Sequence, residues 1–264
     1  MSSLASMSTG ALMASNYANK SQKELNNSIA RISSGKRAMY GQDPAGQGIA
    51  DSLNSSSRSW NVAARNAEDG ISAAQIAESS LMEIAALAQR LREIAIQADN
   101  ADIQSTSDKT ALDAEAAAIY DAVDAIIEDT KFNGVDLLGF SVKSHAVAVA
   151  DDGGPIYLKT SNGFTSVSNY NEAAGAEVTA DIILSEVATD FGNVAAGMSA
   201  FKARQAVAYS ASANLAAAAS RIEDTDVALE SANLTRMSIL NQSAMAMVAQ
   251  ANKATGAFLT IINS

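Results

Sequence analysis

Apolar residues recur at steps of three and four at both ends of this chain. Leu4, Met7, Ala11, Ala14, Ala18, Ser21, Leu25, Ser28 and Ile32 form one series. Met237, Leu240, Ala244, Met247, Ala251, Ala254, Phe258 and Ile261 form the other. A sustained a/d pattern predicts a helix that buries one stripe against another helix. Chain ends are commonly polar and frayed, whereas these are apolar and patterned. Two helices entering from opposite ends of the chain are expected to lie antiparallel. Their small seam residues leave room for further packing against neighbouring copies.

The longest series lies between them. Trp60, Ala63, Ala67, Gly70, Ala74, Ala77, Leu81, Ile84, Ala88, Leu91, Ala95 and Ala98 keep 3-4 spacing throughout, which predicts one long helix ending near Asp99-Asn100. Leu112, Ala116, Ile119, Val123 and Ile126 define a further helix, with Asp108 as its expected cap. Val187, Phe191, Val194, Met198, Phe201, Gln205, Ala208, Ser212, Leu215, Ala219 and Ile222 define another, leading into the apolar tail. Gly35 stands where a C-cap glycine belongs, and Asp43-Pro44 reads as an N-cap followed by proline at the first helical position. Asn133-Gly134 is turn chemistry.

Residues 137–175 break the pattern. Val142, Ala146, Val147, Val149, Ile156, Tyr157, Phe164, Val167 and Tyr170 are scattered among Gly, Ser, Asn and Asp. The turn signals Asp151-Asp152-Gly153-Gly154-Pro155 and Ser161-Asn162-Gly163 predict two to four short strands, the only β structure expected. The predicted fold class is therefore mainly α: a long coiled-coil-like helical bundle from both termini, with a small β-hairpin region in the middle. Residues 1–43 with 225–264 make a terminal helical domain. Residues 44–224 make a helical rod domain that includes the β-rich insert.

Composition agrees with helices. Of 264 residues, 48% are hydrophobic but only 5% aromatic, and the 2 prolines allow long uninterrupted helices. The formal net charge of -11 argues against nucleic acid as the main partner. That charge is uneven: residues 1–65 carry seven Lys/Arg and three acids, a balance of +4, so the remainder carries -15. From Ser238 onward Lys253 is the sole charged residue. Such a tail, helical and alone, would be poorly soluble, so it is expected to be covered by a partner or disordered before assembly. No run is long and apolar enough to span a bilayer, so no membrane insertion is expected. The start lacks the features of a secretory signal, which predicts a cytoplasmic chain or one exported by a route that cleaves nothing.

Chemistry is sparse. The chain has no cysteine and one histidine, His145, so a Cys/His metal site is excluded and a Ser-His-Asp triad is disfavoured. His145 reads as a hairpin or surface residue. Gly46 and Gly48 lack the strand and lysine of a phosphate loop. Asp151-Asp152 reads as a solvated turn. Glu223, Asp224 and Asp226, beside Arg221 near a helix end, read as caps and ion pairs. No catalytic, cofactor or metal site is expected, and the chain is expected not to be an enzyme.

Several stretches resemble flagellin, the subunit of the bacterial flagellar filament. They are Arg31-Ile32-Ser33-Ser34-Gly35, Ala45-Gly46-Gln47-Gly48-Ile49-Ala50, Arg65-Asn66-Ala67-Glu68-Asp69-Gly70-Ile71-Ser72, Gln89 to Gln97, and Phe132-Asn133-Gly134. Ser220 to Asp226 and Val248-Ala249-Gln250-Ala251-Asn252 match at the other end. The resemblance covers roughly residues 1–140 and 180–264. It implies an extracellular, self-assembling structural protein of the motility filament, exported unfolded through the flagellar type III apparatus. The outer domains of larger flagellins are missing or vestigial here. The channel-lining seam would comprise Leu4, Met7, Leu25, Ile32, Met237, Leu240, Met247, Phe258 and Ile261. Gln89, Arg90, Leu91, Arg92, Glu93 and Ile94, with Glu115 on the neighbouring helix, would pack subunit against subunit and be read by the host Toll-like receptor for flagellin. Implied partners are further copies of the chain, a flagellin export chaperone, and the filament cap and hook-associated proteins. A hook–filament junction protein, which shares this terminal architecture, is the nearest alternative; a helical binding module or enzyme is a more distant one.

Overall fold

The computed structural model describes residues 2–37, 43–165 and 173–262, with backbone alone for 2–8, 101, 258–259 and 261–262. Among the described residues there are five α-helices: α1 (Ser2–Ser34), α2 (Pro44–Ala98), α3 (Thr106–Asp129), α4 (Ala176–Glu223) and α5 (Val227–Ile262). Between α3 and α4 lie β1 (Lys131–Phe132), β2 (Val135–Asp136), β3 (Val142–Ala148) and β4 (Pro155–Asn162). The chain divides into two compact units, one of residues 1–54 and 216–264, the other of 55–215. Helices α2 and α4 contribute to both.

Local chemistry sets the helix ends. Gly35 ends α1 at φ +71°, its N–H donating to the Arg31 carbonyl at 2.9 Å. The Asp43 carboxylate accepts from the Gly46 N–H at 2.9 Å and starts α2 ahead of Pro44. The expected cap of α3 is corrected by three residues. Ser105 is the N-cap, and Asp108 reaches back to the Ser105 N–H at 3.1 Å, closing a capping box. Asp226 caps α5, its Oδ1 accepting from Ala228 and Leu229 at 2.9 and 3.1 Å.

In the unit of residues 1–54 and 216–264, α1 packs along α5. Ascending α1 meets α5 in descending order, so the pair is antiparallel. Ala14 shares a hollow with Met247 and Ala251, Asn241 donates to the Ala18 carbonyl at 3.0 Å, and Arg31 meets Glu230. On α1 the covered stripe runs through Ala11, Ala14, Ala18, Ser21, Leu25, Ser28 and Ile32, as the spacing predicts. On α5 it runs through Glu230, Leu234, Met237, Asn241, Ala244, Val248, Ala251 and Ala254. The predicted seam positions Leu240 and Met247 are instead 48% and 61% exposed. Apolar side chains surround this helix at Ile239, Leu240, Met245, Met247 and Val248, so hydrophobicity alone does not mark which side faces α1.

In the unit of residues 55–215, α2, α3, α4 and the hairpins share one continuous apolar core. Every α2 seam residue from Ala63 to Ala98 is buried. Leu112, Ala116, Ile119, Tyr120, Val123 and Ile127 join from α3, and Ile183, Val187, Val194 and Phe201 from α4. Strands β3 and β4 pair antiparallel, with an irregularity between Lys143 and Ser144. Their buried Leu158 sits against Gly197 of α4, where a side chain of even one carbon would meet its Cδ1 at 2.7 Å. The Asn66 amide donates to the Ala148 carbonyl at 2.9 Å and ties the hairpin to α2. A second hairpin, β1–β2, was not expected from the sequence, which confines β structure to 137–175. Asn133 at φ +50° and Gly134 at φ +78° turn it tightly. The expected strand residues Val167 and Tyr170 lie outside the described residues.

Candidate assembly surfaces

The end of α1 and the break between α4 and α5 form a charged clasp within their unit. Arg31 donates to Glu230 Oε1 through Nε at 3.0 Å and Nη2 at 2.6 Å, and the two side chains are only 19% and 9% exposed. Lys36 pairs with the buried Glu223, which also accepts from the Asn54 amide at 3.3 Å. Backbone joins the same segments: Thr225 donates to the Gly35 carbonyl at 2.9 Å and Arg37 to the Glu223 carbonyl at 2.6 Å. The hydrogen bond and charge of Glu223 raise the Lys36 ammonium above its ordinary value. Burial acts to raise Glu230, but hydrogen bonds from Arg31, Ser28 and Asn233 and the Arg31 charge outweigh it and hold the carboxyl below its usual range.

The α1–α5 pair leaves much apolar surface uncovered. Leu12, Met13, Tyr17 and Ile29 on α1, and Ile239, Leu240, Met245 and Met247 on α5, are all exposed. Single exposed apolar residues are ordinary, but a pair of helices carrying them along its length marks an interaction surface. Leu25, Ile32 and Met237 are half-buried within the pair. Leu4, Met7, Phe258 and Ile261 lie outside the described side chains.

The stretch from Gln89 to Gln97 divides by helix face. Gln89, Arg90, Arg92 and Glu93 are exposed, whereas Leu91 and Ile94 are completely buried in the core. Leu91 and Ile94, expected on a subunit and receptor surface, are here covered by the chain's own core. Leu91 continues the 3-4 series of α2 and Ile94 lies one turn on, so both point inward. Arg90 binds Glu115 of α3 through Nε and Nη2 at 3.0 and 2.7 Å and Glu93 at 3.1 Å. Arg92 meets Asp181 of α4 at 3.3 Å. The arrangement presents a band of paired charges over a packed interior.

Catalytic chemistry does not assemble. Among the described residues no three His, Asp or Glu side chains gather as a metal would need, and no helix is long and apolar enough to cross a membrane. His145 is half-buried beside a groove lined by Asn66, Asp69, Phe132, Asn133 and Leu158. Burial, then the nearby Lys143 charge, push its imidazole below the ordinary value. Asp151-Asp152 is a turn, with Asp152 accepting from the Gly154 N–H at 2.9 Å.

The clasp is what sequence reasoning missed. Glu223 was legible as a member of an ion pair and Asp226 as a cap, but the sequence-distant partners of Glu223, Lys36 and Asn54, were not. One signal was present: Glu230 falls one heptad before Met237, so it places a charge on the seam itself.

Comparison with known proteins agrees with this architecture. A family model described as the bacterial flagellin N-terminal helical region matches residues 6–141, and one described as the C-terminal helical region matches 180–261. Flagellin of Halalkalibacterium halodurans is 31% identical over 246 residues, covering 89% of this chain and 90% of that one. The flagellar filament 30.7 kDa core protein of Treponema maltophilum is 30% identical over 269 residues, covering 91% and 94%. A crystal structure of Bacillus cereus flagellin is similar at 22% identity over 57% of this chain and 88% of that chain, with a TM-score of 0.39. On the two family matches and the near-full-length relatives, the chain belongs to the bacterial flagellin family.

Proposed function

We propose that this chain is a non-enzymatic structural subunit that polymerises into the extracellular flagellar filament. One observation carries the reading. The α1–α5 pair exposes apolar side chains on both helices, and α5 bears a single charge, Lys253, from Ser238 onward. A surface of that kind is stable in water only when further copies cover it. The terminal helices, residues 1–43 with 225–264, are then the inner, channel-lining layer. Exposed Gln89 and the exposed charges of Arg90, Arg92, Glu93 and Glu115 form a band available to a neighbouring subunit and to the host Toll-like receptor for flagellin. An export chaperone covering α5 keeps the chain soluble before type III export. The filament cap and hook-associated proteins meet the two ends of the polymer.

Purified protein is expected to form long filaments, seen by negative stain and recovered by sedimentation. Removing residues 258–264 should abolish them while leaving residues 55–215 folded. Filaments of ordinary length from the truncated chain would count against this reading.

A further inference from the structure

We infer that Arg31 and Glu230 form a register key for the α1–α5 pair: they select which heptad of one helix faces which heptad of the other. Away from Leu25, Ile32, Leu234 and Met237, the stripe between these helices is built of small, repeating residues. Ala11, Ala14 and Ala18 of α1 face a stripe containing Ala244, Val248, Ala251 and Ala254 of α5. Sliding one helix by a heptad replaces Ala11 by Ala18 and Ala244 by Ala251, so alanine takes the place of alanine. Packing therefore discriminates weakly between registers, and a covered polar group is the known means of choosing one.

The Arg31–Glu230 pair has the required properties. Both side chains are largely covered, and two guanidinium nitrogens converge on one carboxylate oxygen at 2.6 and 3.0 Å. Buried Ser28 lies one turn before Arg31 on the same stripe. A slip of seven residues in one direction sets Arg31 against Met237 and carries Glu230 past the end of α1. A slip the other way sets Glu230 against Glu24, like charge on like, and brings Arg31 level with Glu223, whose carboxylate Lys36 already holds. Each slip thus sets one covered charge against an apolar or like-charged residue, which is costly. The pair is thus a positioning device: buried ion pairs contribute little net stability against apolar residues of similar size, but they penalise the wrong arrangement.

The chain contains no cysteine, so introduced pairs report without background. Ala18→Cys is combined with Asn241→Cys for the observed register, and with Leu234→Cys or Val248→Cys for the two slipped ones. A heptad moves a Cα by about 10 Å along the axis, too far for a disulfide to form in the wrong register. With Arg31 and Glu230 intact, only the 18/241 pair should oxidise in the full chain sedimented as polymer. The apolar replacement Arg31→Met with Glu230→Leu should keep the helix content and lose that selectivity, with oxidation spreading to the slipped pairs. The exchanged pair Arg31→Glu with Glu230→Arg should restore a single product. Unchanged selectivity in the apolar variant would overturn the inference and assign the register to the backbone clasp at Gly35 and Thr225. Collapse of helix content in that variant would also overturn it, because the pair would then be a stability element.

Discussion

The two units of this chain handle the same apolar residue types in opposite ways. All of the largest fully buried side chains, Phe201, Leu81, Ile84, Leu91, Ile94 and Ile127 among them, belong to residues 55–215. The unit of residues 1–54 and 216–264 buries mainly alanine, serine and two glutamates, while Leu12, Met13, Ile29, Ile239, Leu240, Met245 and Met247 are exposed along α1 and α5 and Leu25, Ile32 and Met237 are only half-buried. A body with its own core folds by itself. A helix pair with an alanine seam and an apolar exterior completes its core only with other copies. The chain therefore joins a self-sufficient body to an unfinished one, and the unfinished one carries the assembly surface.

The largest expected effect breaks this contrast on the self-sufficient side. Phe201 is fully buried, and its ring lies within about van der Waals contact of the space above Gly70. Phe201→Ala should cost about 3–5 kcal/mol. Urea unfolding followed by the fluorescence of Trp60, the single tryptophan and a residue of the same unit, measures it. Leu240→Ser with Met245→Ser, on the exposed face of α5, should leave that transition unchanged and prevent polymerisation. A comparable loss of stability from the α5 pair would place those residues in a monomer core and remove the contrast.

The same difference decides what was legible in the sequence. The α2 and α4 seams could be read residue by residue, because each faces a core on one side and water on the other, so hydrophobicity and burial coincide. On α5 they part. Leu240 and Met247 look like seam residues and are exposed, whereas polar Asn241 and Glu230 are covered. A helix destined for contact on more than one side gives no clean stripe, and only a neighbour reveals which side is taken first. The charged clasp was hidden for another reason: Lys36 and Glu223 are far apart in sequence, and spacing carries no information across such a gap. The β1–β2 hairpin was too short to show alternation, and its Asn133-Gly134 turn read equally well as the end of a helix.

A smaller effect tests how α5 begins. Asp226→Ala removes the side chain that accepts from Ala228 and Leu229 and should cost about 1 kcal/mol of α5 stability. Hydrogen exchange at the first turn of α5 should speed up while the amides of α2 around Leu81 stay protected. Equal acceleration at both sites would mean that the two units unfold as one.

Acidification should move the units in opposite directions. Glu230 has a folded-state value below the ordinary one, so its contribution to the α1–α5 pair is present above the usual glutamate range. It is lost as pH falls through the depressed value. Asp190, 1% exposed on α4, behaves in the contrary way. Burial raises it, although hydrogen bonds from the Asn162 N–H, Asn193 and Ser161 and the Lys159 charge act to lower it. Its ionised form penalises the folded state at neutral pH, and that penalty fades as pH falls from above the usual aspartate range into it. Asp190→Asn should flatten this rise in the Trp60-detected transition, and Glu230→Gln should flatten the acid loss of α5 helicity. Interchange of the two outcomes would overturn the assignment of each carboxyl to its unit.

The smallest expected effect on stability is none, and it separates packing from recognition. Arg90 is half-exposed, and its partners Glu93 and Glu115 are exposed too. Hydrogen bonds to Glu115 and Glu93, and then their charges, raise the guanidinium further above an already high value, so it stays ionised at every accessible pH. Exposed pairs are screened by solvent and seldom add measurable stability. Arg90→Gln should therefore leave the Trp60-detected transition where it is, while Leu91→Ala, one residue further along α2 and fully buried, lowers it by several kcal/mol, about 2–5 by the usual cost of such a cavity. If Arg90→Gln also leaves polymerisation unchanged, the charged band is not a subunit contact. If polymerisation falls with stability intact, the band belongs to the assembly surface. Residues 55–215 would then contribute exposed charge to the filament, as the terminal helices contribute exposed apolar surface.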